Sequence, residues 1–178
     1  MKRQTILAMA LAGAALPAAA QIDVPMHYLR VEVETPPTLS NLDEIPEDRG
    51  LAGARVGLQD NATTGQFLGH NYTLAETSVA PGDDPLPAAR EALAGSRLLL
   101  IEAPAEALLA IADLPEAAGA LLFNVAAEDD VLRGESCRAN VLHAVSSYGM
   151  RADALGQFLL KKRWSDVAMI VGPQPQDA

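Results

Sequence analysis

The chain has 178 residues, 49% of them hydrophobic, with 23 Asp and Glu against 13 Lys and Arg and a formal charge of −10 at neutral pH. Such a balance excludes binding to nucleic acid or to an anionic membrane surface by charge. The single cysteine, Cys137, excludes an intramolecular disulfide, and with no second cysteine or histidine beside it in sequence it reads as an inert structural residue.

The first twenty residues carry an export pattern. Lys2 and Arg3 form a charged start, residues 6–16 an apolar core, and Ala18, Ala19 and Ala20 a small-residue cleavage site. The apolar run is too short to span a bilayer. Gln21 follows, not a cysteine, so no lipid anchor is indicated. Cleavage after about Ala20 would leave 158 of the 178 residues and move the charge from −10 to −12 as Lys2 and Arg3 depart. That length suits one domain with a sizeable core. The expectation is a soluble periplasmic protein that starts at Gln21 and has no stable membrane insertion.

From there the chain alternates strand and helix. Residues 26–33 (MHYLRVEV) are β-branched and aromatic, with Pro25 as a boundary. Residues 34–48 hold three prolines and five carboxylates and read as an exposed excursion. Asp48 can cap a helix in which Leu51, Ala54 and Leu58 share a face. Gly50, Gly53 and Gly57 lack the spacing of a nucleotide fingerprint and suggest close helix-to-sheet packing instead. Residues 61–69 (NATTGQFLG) read as a turn-rich connection and 71–80 as a strand, after which Gly82 to Pro85 lead into a helix that ends at Ala94 before Gly95. The nearly continuous apolar run 97–103 fits a strand buried on both faces. Residues 104–114 follow as a helix with Pro104 at its first position.

The stretch 119–147 organises the rest: strand 120–123, a loop of small residues, a polar excursion, and strand 140–144. A strand that ends in Asn124, Val125, Ala126 and Ala127 leaves backbone N–H groups open to a visitor, and open α/β sheets bind visitors at the carboxyl ends of their strands. Ser146 or Ser147 caps a helix whose Tyr148, Ala152, Leu155 and Leu159 share a face and whose last turn holds Lys161, Lys162 and Arg163. A buried-type strand, 167–171 (VAMIV), closes the sequence before Gly172-Pro173. The order implies an α/β fold with a doubly wound, mostly parallel sheet.

Catalytic patterns are few. There is no G-x-S-x-G elbow, phosphate loop or H-E-x-x-H. His27, His70 and His143 fall in separate elements, where each could still meet a carboxylate. Asp83-Asp84 and Asp129-Asp130 lack the alternating donors of a calcium loop and read as turn and helix-start carboxylates. No enzyme activity, cofactor or metal site is expected.

The pieces PPTLS, DRGLAGAR, NATTGQFLG and RGESCRAN, the KKRW helix end and the strand VAMIVGP resemble the periplasmic solute-binding components of ABC transporters. More narrowly they are similar to the branched-chain-amino-acid type found with pyrroloquinoline-quinone-dependent alcohol dehydrogenase systems. The resemblance implies a type I binding-protein fold of two lobes, with residues 21–163 as the N-terminal lobe and 164–178 as the start of the second lobe or a C-terminal tail. Most of the second lobe would be missing. It further implies a ligand ledge of Ala103, Pro104, Ala105, Asn124, Val125, Ala126, Ala127, Ser146, Ser147 and Tyr148. The implied partners are a small-molecule solute and either an ABC permease or a periplasmic quinoprotein dehydrogenase. A non-transport accessory protein of the dehydrogenase system is the second functional expectation. Where amino-acid binders place a Ser or Thr hydroxyl in the first two loops, this chain has Ala103-Pro104-Ala105 and Val125-Ala126-Ala127.

Overall fold

A computed structural model describes residues 21–34 and 46–172. The export segment 1–20, most of the excursion and residues 173–178 lie outside the described residues. Five strands form one sheet: β1 (Ile22–Val31), β2 (His70–Val79), β3 (Leu98–Glu102), β4 (Leu121–Asn124) and β5 (Val141–His143). Their order is β2-β1-β3-β4-β5 and every pairing is parallel. Among the described residues four α-helices accompany them: α1 (Leu51–Leu68), α2 (Leu86–Gly95), α3 (Ala105–Ala112) and α4 (Tyr148–Lys162). The α/β fold with a parallel sheet flanked by helices is therefore as expected from the alternating pattern.

The chain steps one way along the sheet from β1 to β2 and the other way from β2 onward. Crossovers of one hand then place α1 on one face and α2 and α3 on the opposite one. Side chains bear this out. Leu29, Leu99, Ile101, Leu122 and Val141 form one cluster with Ala89, Ala92 and Leu93 of α2 and Leu108 and Ile111 of α3. Tyr28, Tyr72 and Glu76, at positions of the other parity, meet α1: Gly65 lies against the Tyr72 ring, and Arg55 forks onto Glu76 at 2.8 and 2.6 Å.

Several boundaries move for identifiable reasons. β1 runs through Pro25 instead of starting after it. Even-numbered residues of β1 donate toward β2, as Ile22 N does to Gly69 O and Glu32 N to Val79 O, so the amide that Pro25 lacks would face β3. Pairing with β3 begins only at His27, and the Pro25 carbonyl accepts from Ser96 Oγ at 2.8 Å instead. Residues 61–68 are not a turn but the second half of α1. Asn61 and Thr63 bond back to the carbonyls of Gly57 and Gln59, which accommodates polar residues inside a helix, and Gly69 in the left-handed region ends it. Asp48 does not cap α1; Gly50 holds that position without a side-chain bond, while Pro104 precedes α3 as its cap and Ser147 caps α4. Gly53 and Gly57 have open space around them, so packing accounts only for Gly50, where a Cβ would meet Tyr28 Oη at 2.6 Å and Glu102 Oε2 at 3.1 Å.

The expected strand 167–171 is the largest correction. Residues 164–172 adopt no strand and are exposed throughout, Ile170 at 99%. A β-rich sequence needs a neighbouring strand to become one, and β5, at the near edge, is three residues long. α4 likewise buries none of its residues.

Candidate functional site

The carboxyl ends of the strands carry two separate regions. Over β1, β2 and the start of α3 opens a cleft of about 720 Å³. Its walls include Val31, Leu86, Ala107 and Pro104, and its rim carries Glu32, Glu34, Asp83, Asp84 and Glu106. Glu32 accepts from Ser78 Oγ at 2.6 Å and Asp84 from the Leu86 N–H at 3.0 Å, but none of the five is in an ion pair among the described residues. The sequence that follows, 35–45, contains no Lys, Arg or His. All five carboxylates are exposed to solvent, so the rim is acidic but screened.

Beside this cleft, where β1 and β3 adjoin, the crevice is filled by the chain itself. Tyr28 donates to Glu102 at 2.5 Å, and Arg30 reaches Glu102 with two nitrogens at 3.1 Å and the Glu47 and Arg49 carbonyls at 2.5 and 2.8 Å. Burial first, and the bond to Glu102 second, push the Tyr28 hydroxyl well above its ordinary range; the same carboxylate raises Arg30. Gly50 at φ 83° lets the chain pass over this cluster.

The second region is the end of β4 and β5. Asn124 is fully buried, and its Oδ1 accepts the N–H groups of Ala126 and Ala127 at 3.1 and 2.8 Å while Val125 N bonds to Ile101 O at 3.1 Å. The amide donors expected to be open after β4 are thus occupied internally; the buried carboxamide reaches them before any ligand can. Because Oδ1 is the acceptor, Nδ2 is the donor, to Ala127 O at 2.7 Å and to His143 Nδ1 at 3.0 Å. His143 is accordingly a neutral acceptor there, and burial followed by the nearby Arg133 charge lowers its pKa.

Of the other ledge residues, Ala103 and Ala127 are buried, Ala105 and Val125 half-buried, and Pro104, Ala126, Ser146 and Tyr148 exposed. Ser147 is buried, donates to Asp130 and accepts from Met150 N at 3.2 Å. Asp130 also accepts from Gly149 N at 2.9 Å, and these bonds, Ser147 first, hold its carboxyl below the usual range. Asp84 and Asp130 do serve as turn and helix-start carboxylates. Only Pro104 of the expected ledge also lines the large cleft. Sequence reasoning missed Arg133: its Nη2 donates to Val145 O, but its Nη1 is buried with no hydrogen-bond partner among the described residues. A lone Arg in a polar run gave no signal of that.

The histidines meet neutral groups, His27 Nε2 with Thr77 Oγ at 2.8 Å and His70 with Tyr72 at 3.2 Å. Cys137 is exposed. Among the described residues no three His, Cys, Asp or Glu side chains converge to hold a metal ion, and no helix is long and apolar enough to cross a membrane.

Fold and site together define an α/β chain with a parallel sheet and an open carboxyl edge. Compared with protein-family models, curated proteins and solved structures, the chain finds no match in any of the three.

Proposed function

We propose that this chain is the first lobe of a periplasmic solute-binding component of an ABC importer, linked to a quinoprotein alcohol dehydrogenase system, without catalysis of its own. The observation that carries the reading is a parallel sheet whose carboxyl edge opens into a cleft while, among the described residues, the segment from α4 to residue 172 buries none of its side chains. Tyr148, Met150, Leu155, Phe158, Leu160 and Trp164 are all at least 47% exposed, and Val167 to Val171 are exposed beyond them. Apolar surface of that extent marks a contact with further protein, and a second lobe over the carboxyl edge would supply it. The ligand-facing residues in this reading are the exposed members of the ledge, Pro104, Ala126, Ser146 and Tyr148, together with the cleft.

One lobe alone leaves a solute hydrated on its far side. Affinity limited by the atoms buried is then roughly millimolar or weaker. Calorimetry of the monomeric chain with amino acids, alcohols and small organic acids tests this. Micromolar binding of any of them would mean that the chain is a complete binding module and that the one-lobe reading is wrong.

The internal satisfaction of the Ala126 and Ala127 amides favours a second reading, an accessory protein of the dehydrogenase system that delivers no solute to a permease. Neighbouring genes for a permease pair and ATPases speak for the importer; neighbours limited to dehydrogenases and cytochromes speak for the accessory role. Export is tested by mass spectrometry of the secreted form. Its expected start is Gln21, and an intact Met1 in the membrane fraction would refute cleavage.

A further inference from the structure

We infer that the acidic cleft over β1 and β2 takes the basic, apolar arm of a second copy of this chain, residues 158–171, in a reciprocal dimer. Such a dimer goes beyond the solute-binding reading and needs no solute. Past the export segment the chain has one run of adjacent cations, Lys161, Lys162 and Arg163, at the end of α4. None of the three is in an ion pair among the described residues, although the chain has 23 acids for 13 bases. Around them the arm is apolar. Phe158, Leu160, Trp164, Met169 and Ile170 are all at least 47% exposed, Phe158 stands edge-on to Trp164 with ring centres 6.1 Å apart, and Lys162 Nζ lies 5.5 Å from the Phe158 ring centre. Exposed aromatic and methionine side chains gathered in this way have the composition of an interface core.

The cleft is the complement of that arm. Its walls include the apolar Val31, Val33, Leu86 and Pro104, and none of its five carboxylates is in an ion pair among the described residues. At about 720 Å³ it has the size of a site that buries a drug-sized body, enough for the Phe158 and Trp164 rings. Water screens the rim while it is open, and an arm that covers the rim removes that water and strengthens each attraction. The arm does not fill its own cleft. α4 starts beyond β5, where its cap bonds to Asp130, three strand spacings of about 4.8 Å from β1, and no residue of 148–172 lines the cleft. Two acidic chains repel at long range, so contact of patch with patch and not net charge has to hold them. An exchange of arms uses the same two surfaces twice and closes on a two-fold axis.

The test follows the secreted chain from low micromolar to millimolar concentration by sedimentation and by the emission of Trp164, its sole tryptophan. A dimer is expected, with the Trp164 emission moving to the blue as it forms. Reversing the arm (Lys161→Glu with Lys162→Glu) or the rim (Asp83→Lys with Glu106→Lys) should weaken self-association about a hundredfold, as for like charges brought together. An equimolar mixture of the two variants restores it. A control with Asp60→Lys and Glu135→Lys, exposed acids away from the cleft, changes the net charge as the rim variant does and dimerises like wild type. Should either double variant fail to fold, the single exposed changes Trp164→Ser on the arm and Glu34→Lys on the rim keep the test open, each weakening the dimer. A chain that stays monomeric at millimolar concentration, a dimer that the reversals leave intact, a mixture that does not associate, or a control as weak as the rim variant overturns the assignment. So does a blue-shifted Trp164 in the monomer, which places the arm on its own chain, or a larger shift on phosphatidylglycerol vesicles than on self-association, which makes lipid the occupant. Calorimetry with solutes reads the solute-binding reading separately, so either can fail while the other stands.

Discussion

The two faces of the sheet are built on different principles. On one, α2 and α3 seal Leu29, Leu99, Ile101 and Leu122 to full burial. On the other, α1 covers part of the surface through Gly65, Arg55 and the Tyr28–Glu102–Arg30 cluster, and the row beyond it is left half-open, with Leu121 and Leu142 at 41% and 44% exposure. Register sets Tyr28 beside Leu100, Leu100 beside Phe123 and Phe123 beside Leu142, so this row is continuous. The sealed face holds by dry packing; the other holds where polar groups pin it. α4 buries none of its residues, and its start is bonded to Asp130.

The sharpest way to break this contrast is a matched pair of truncations. Leu99→Ala removes a fully buried side chain and is expected to cost about 2–5 kcal/mol, whereas Leu142→Ala on the open row should stay within about 1 kcal/mol. Urea unfolding measures both; equal losses would mean that the open row is sealed in solution.

A second pair addresses the pinned part of the α1 face. Gly50→Ala forces a Cβ onto Tyr28 Oη at a positive φ and should cost roughly 1–3 kcal/mol. Gly53→Ala, with open space around it in the same segment, should stabilise by roughly 0.5–1 kcal/mol. Thermal melts that move both variants in one direction would contradict the pin.

Acid should weaken the sealed face first. His27 and His143 both have folded pKa values below the ordinary 6.5, chiefly from burial. The unfolded chain then binds more protons just below 6.5, so stability is fully present above that value and falls as pH drops through the lowered ones. Tm measured at falling pH should decline in wild type, and the decline should flatten in His27→Gln and His143→Gln. An unchanged slope in both would remove the histidines from the account. The smallest stability effect is expected past α4. Met169→Ser and Ile170→Ser, at 86% and 99% exposure, should change stability by no more than about 0.5 kcal/mol while lowering the binding of a hydrophobic dye.

By itself the sequence determined the class of fold and most of the elements. The apolar run at Leu98–Glu102, the Ala- and Leu-rich α3 and the periodic α4 are local signals, because period and capping depend on near neighbours. What it could not determine depended on distant partners. Pro25 lies within a strand because β3 is too short to demand its amide, and within the helical residues 61–68 Gly65 leaves room for the Tyr72 ring. The run 167–171 stays out of the sheet for want of a neighbour. The site followed the same division. Strand order directed attention to the carboxyl ends, but which groups are open there was not legible. Asn124 consumes the amides that looked available, and Arg133 has a buried donor without a partner among the described residues, since hydrogen bonds are assigned by three-dimensional proximity and not by residue type.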